Sequence, residues 1–192
     1  MQAVTRVKRS FALYQRQRKR GHVMAEFAPA LFVLLFGVML PLLDLAFVPI
    51  RYTAAYAMVR NQDQELALSR TAGDAHQALQ LDGQWKARLA GCGAKVKKSE
   101  LVMVVTDRSG GRHAFSLGQR GYIPSELLPD GENAPCVYRL QLRVELGIAP
   151  LLSMSGKGVP GLTSPMPVTI VTSAAWENLG RDPETKEFYL NE

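Results

Sequence analysis

Hydrophobic and polar positions change their period twice along this chain, and each change marks an element. Between Glu26 and Arg51 lie 24 residues whose only charge is Asp44. As an α-helix they would span about 36 Å, enough to cross a hydrocarbon core of ~30 Å with some tilt. Pro29, Pro41 and Pro49 each lack a backbone N–H, so the helix is predicted to bend or open locally at one or more of them. Past the apolar run a helical repeat follows at Tyr52, Tyr56 and Val59, then at Leu66, Leu68, Ala72, Ala75 and Leu79. Arg60, Asp63, Glu65, Arg70 and Asp74 flank that stripe as its polar side. Tyr52 and Tyr56 also fit as interfacial anchors at a membrane surface. Gly73 is a candidate break, and Gly83 sets off a last helical piece from Gln84 to Ala90, ending at Gly91-Cys92-Gly93.

From Leu101 the pattern becomes that of strands. Leu101 to Thr106 is apolar and β-branched, Asp107 to Arg112 is a turn, and His113 to Leu117 returns, which predicts a hairpin. After a Gly- and Pro-containing region, Val137, Arg139, Gln141, Arg143 and Glu145 alternate with Tyr138, Leu140, Leu142, Val144 and Leu146. Such alternation predicts a sheet with one face on a core and one in water. Val168 to Thr172 supplies a last strand, and a polar tail runs from Asn178 to Glu192, expected to be flexible. The fold class is α+β: a long N-terminal helix, half transmembrane and half amphipathic, packed on a small antiparallel sheet of three or four strands. The organisation expected is a basic leader at 1–21, the transmembrane helix at 22–50, its helical continuation at 51–92 and a β-rich domain at 93–192.

Charge changes this picture only through its distribution. The formal net charge is +6, yet seven of the 23 lysines and arginines precede Gly21 with no acid among them. The remainder, 16 bases against all 17 acids, is near neutral. The basic head therefore orients the helix, with the N-terminus cytoplasmic and the C-terminal domain across the membrane, and gives no reason to expect nucleic acid. Asp44 within the run either reaches the outer headgroup region or contacts another subunit. The chain has two cysteines, Cys92 and Cys136, both on the outer side, where a disulfide persists. Compartment and even count make them a disulfide candidate, the alternative being two buried thiols that never meet.

Candidate chemistry is sparse. Gly156-Lys157-Gly158-Val159-Pro160-Gly161 matches G-x-G-x-x-G, but Pro160 removes an amide donor and the following Leu162 to Pro167 cannot open a helix, so it is a loop. His22, His76 and His113 have no zinc-ligand spacing. No nucleophile elbow or P-loop occurs, so neither an enzymatic activity nor a cofactor or small-molecule substrate is expected. Lys95, Lys97 and Lys98 form a basic cluster without interleaved aromatics, a solvated charge run rather than a nucleic-acid site.

The edge of the apolar run is more specific. Arg18-Lys19-Arg20 leads to Gly21, and Gly21-His22-Val23-Met24-Ala25-Glu26-Phe27-Ala28 places a carboxylate on the rim of the hydrocarbon segment. This resembles the processing site of type IV prepilins, and the pattern Arg-Gly-x-x-Met-x-Glu-Phe-Ala resembles the TadE-like minor pilins, or pseudopilins, of tight-adherence pili. The resemblance covers residues 18 to 50 and is loose afterwards. It implies cleavage by a prepilin peptidase between Gly21 and His22, storage in the cytoplasmic membrane, and other pilin and pilus-assembly subunits as partners. Cleavage would give His22 a free α-amino group, positive or nearly so at neutral pH. A lone carboxylate and a lone amine in one apolar layer each carry a desolvation cost that pairing offsets. Glu26 is thus the candidate for charge registration against a neighbouring subunit's terminus. The competing readings are an uncleaved single-pass envelope protein whose outer domain binds or scaffolds, and a secretory signal cut near Ala55-Tyr56-Ala57. The apolar run is too long for the latter, and Arg51 separates it from the cut.

Overall fold

The computed structural model describes residues 27–118, 122–151 and 158–192. Two compact units divide the chain, Met1–Leu45 and Ala46–Glu192.

In the first unit the described residues form the apolar part of helix α1, which runs unbroken from Phe27 to Ala67. Only 11 % of its most apolar window is buried, which separates it from the core helix of a soluble domain. Val33–Met39 is wound as a π-helix, with the Leu40 N–H donating to the Leu35 carbonyl. Pro41 lies two residues beyond it, and its ring would collide with the carbonyl four residues back in a regular α-helix, which is a physical reason for a wider turn there. The opening expected at a proline is thus found before Pro41, while α-helix continues through Pro49. Asp44 is buried, at 3 % exposure.

The second unit begins inside α1 and adds two helices and a sheet. α1 ends at Ala67 in a tight turn. Thr71 then opens α2, Ala72–Leu81, through a reciprocal cap: its hydroxyl accepts from the Asp74 N–H at 3.0 Å, and the Asp74 carboxylate accepts from the Thr71 N–H. The break therefore falls before Gly73, which lies in the first turn of α2. A third helix, α3, spans Gln84–Gly91, as the spacing from Gly83 predicts. Four strands follow: β1 (Ala94–Thr106), β2 (Arg112–Ser116), β3 (Val137–Ile148) and β4 (Met166–Ala175). They pair antiparallel in the order β2-β1-β3-β4.

β1 starts seven residues earlier than its apolar half suggests, because the polar stretch from Ala94 to Glu100 pairs with the Arg143 to Ile148 end of β3, across an irregularity at Val96/Lys98. β3 follows its alternation: Tyr138, Leu140, Leu142, Val144 and Leu146 are buried. Against them pack Leu101, Met103 and Val105 of β1, Ile170 of β4, Leu79 of α2, Trp85 and Leu89 of α3, and Ala55, Val59 and Leu66 of α1. Each of the buried Leu, Val, Ile and Met side chains among these contributes roughly 1.5–3 kcal/mol by leaving water. On α1 the buried stripe differs from the predicted one. Tyr52, Tyr56 and Leu68 are exposed, and the core face is Ala55, Val59, Gln62, Asp63 and Leu66.

The tail is docked rather than loose, contrary to the flexibility expected from its polarity. Phe188 and Leu190 are buried, the Tyr122 hydroxyl donates to the Leu190 carbonyl, and the Ile123 N–H donates to Asn191 Oδ1 at 2.8 Å. Two apolar side chains and these hydrogen bonds hold it.

Candidate functional site

Arg51 is the first charge after the apolar run, and its guanidinium turns inward. It donates to the carbonyls of Ala149 and Pro150, the latter at 2.9 Å, tying the segment after β3 to α1. Gly93 is required beside it: its φ is +79°, and a Cβ there would meet the guanidinium at 3.0 Å. The Ala149 N–H closes the cluster on the Gly93 carbonyl at 2.7 Å. Sequence reading treats Arg51 only as the boundary of the membrane segment, since its partners lie far along the chain.

Three turns further along α1, Asp63 is 1 % exposed, and neither carboxylate oxygen has a hydrogen-bond partner among the described residues. Thr172 on β4 lies beside it, also buried, its hydroxyl without a hydrogen bond of normal geometry. Burial pushes the Asp63 carboxyl up to about 6, against a smaller opposing effect of Thr172. The signal in the sequence was its spacing: Asp63 follows Val59 by four residues and Ala55 by eight, on the apolar face rather than beside it.

Val48, Pro49 and Tyr52 of α1 line an apolar groove with Ile148 of β3 and Met166 and Val168 of β4. With Val48 at Met166 and Asp63 at Thr172, fifteen helical residues cover about 22 Å and six strand residues about 20 Å, so α1 runs along β4. A second cleft lies at the start of α2, between Arg70, Asp74, His76, Tyr122 and Asp182. The helix end there is already occupied, because Thr71 caps Asp74 and the Gly73 N–H donates to the Glu192 carbonyl at 2.9 Å.

Gly21, His22 and Glu26 lie outside the described residues. Cys92 and Cys136 are described, and the disulfide expected between them is corrected: both are free. Cys92 precedes β1, whose Ala94 pairs with Ile148, whereas Cys136 precedes Val137, which pairs with Thr106 at the other end. The length of β1 separates them by roughly 40 Å, far beyond the ~7 Å between Cα atoms that a bridge tolerates. Among the described residues no group of three His, Cys, Asp or Glu side chains could hold a metal ion.

No protein-family model, curated protein or solved structure matches this chain.

Proposed function

We propose that the chain is a TadE-like minor pilin or pseudopilin, a structural subunit stored in the cytoplasmic membrane. A prepilin peptidase cuts it between Gly21 and His22, and it takes part in assembling a tight-adherence pilus for adhesion or secretion. Glu26 then registers the subunit against the new terminus of a neighbouring pilin helix. The observation that carries the reading is the continuity of α1: one helix, Phe27–Ala67, joins an apolar, exposed half to a half packed on a four-stranded antiparallel sheet, directly after the prepilin-like motif. A subunit pulled from a bilayer into a fibre needs this layout, because the same rod serves as anchor in lipid and as contact in the filament. The exposed apolar half costs nothing in hydrocarbon and is available to neighbouring helices once extracted.

Complementation tests the reading. In cells lacking this chain, the wild-type protein restores surface fibres and adherence, while Gly21→Leu remains full length and does not. Full restoration by Gly21→Leu would instead support the unprocessed single-pass envelope protein.

A further inference from the structure

We propose that the end of the sheet beside residues 48–51 of α1 is a lipid-contacting surface, fitted to the anionic headgroups of the outer leaflet, with apolar side chains entering the interface and lysines meeting phosphate. The proposal rests on the membrane reading of α1 and adds a second contact to it.

The geometry sets the level of this surface. The apolar run ends at Ile50, and α1 lies along β4, so whatever sits beside residues 48–51 is at the depth where the chain leaves hydrocarbon. Two segments sit there. Arg51 holds Ala149 and Pro150, and a Cβ on Gly161 would lie 4.0 Å from Val48 Cγ2. Leu151, Val159 and Met166 on these segments are 43 %, 61 % and 40 % exposed, an unusual expenditure for three large apolar side chains at one end of a sheet. The segment around Val159 is internally bonded: the Leu162, Thr163 and Ser164 N–H groups all donate to the Val159 carbonyl, and the Gly161 N–H donates to the Ser164 carbonyl. A turn whose amides are already satisfied loses little on entering a dry interface.

Charge complementarity points to lipid rather than protein. Lys95 and Lys97 belong to this same end of the sheet, Lys95 opposite Gly147 and the Lys97 stem over Gly147 beside Pro165. Both are exposed and neither is in an ion pair among the described residues, whereas Lys98, one step further along β1, is paired with Glu100. Long basic side chains over an apolar rim are suited to reach phosphate while their stems stay in the interface. Each contributes roughly fivefold to binding an anionic surface.

Hydrogen exchange of the full-length protein tests this, in detergent, in phosphatidylcholine nanodiscs, and in nanodiscs with about a third phosphatidylglycerol. Amides of 149–151 and 158–166 are expected to exchange about tenfold more slowly in the anionic discs than in detergent. The Lys95→Glu/Lys97→Glu variant should lose that slowing while β3 amides keep theirs, which shows the fold intact. Equal exchange of these segments in detergent and both discs overturns the proposal, as does slowing that appears only after another protein is added. Rapid exchange of 27–45 in discs is a separate result: it removes the membrane reading itself, and the proposal with it.

Discussion

Replacing Asp63 by Asn isolates the most costly side chain in the second unit. The carboxyl is almost wholly buried, its oxygens have no hydrogen bond of normal geometry among the described residues, and desolvation raises it from 3.8 to about 6 against a smaller opposing effect of Thr172. A carboxyl raised on folding binds its proton more tightly in the folded state. Its contribution is therefore fully present below pH 4 and is lost as the pH climbs to about 6. Two pH units at about 1.4 kcal/mol each give a penalty of about 3 kcal/mol above pH 6.5. Asn has the same shape and no charge to desolvate, so the variant should match the wild type near pH 4 and exceed it by that amount at pH 7.5. For a unit of this size the difference is about 6–12 °C in Tm. Tryptophan fluorescence reads it directly in detergent-solubilised full-length protein, since Trp85 and Trp176 are both buried in the same unit. A variant that melts at or below the wild-type temperature at pH 7.5 refutes the argument, and would mean that the ionised carboxylate has a compensating partner.

The other predictions concern the clusters around α1 and the tail. Arg51→Ala should cost about 2–4 kcal/mol through two charged hydrogen bonds to buried-end carbonyls, read as a lower Tm together with faster exchange at residues 149–151. Gly93→Ala should cost about 1–2 kcal/mol from its positive φ, plus displacement of Arg51, whereas Gly91→Ala, with nothing within 4 Å of the added carbon, should be close to neutral or stabilising. Denatured, unreduced protein should take up two alkyl groups per chain by mass, one on Cys92 and one on Cys136; uptake of none would contradict the register of β1 on β3. Leu190→Ala should lower stability by about 2–5 kcal/mol, and an unchanged melting temperature would show that the tail is not part of the core.

Where one physical rule decided a segment, the sequence was legible. The strand period of Val137–Ile148 put Tyr138, Leu140, Leu142, Val144 and Leu146 inward because a half-buried strand has no other way to face a core. The apolar run announced α1 by length alone. The first half of β1 stayed hidden because its lysines and Glu100 face water and carry no apolar alternation. Asp63 was misplaced because a charge on a helix is assigned to the solvent side by default, although its spacing from Val59 and Ala55 puts it on the face that packs against β4. The cysteines misled for a related reason: compartment and parity permit a bridge, but the distance between two ends of an antiparallel pair is set by register, which neither property contains. The Arg51 cluster needed contacts across nearly a hundred residues and left no local trace.

A processed subunit and a fixed anchor differ in where the mature chain begins, which is read from the intact mass of the protein purified from membranes of cells with an active prepilin peptidase. A chain beginning at His22, reverting to Met1 when the peptidase is inactivated, is the predicted result. A chain that keeps its arginine-rich head in both strains contradicts it.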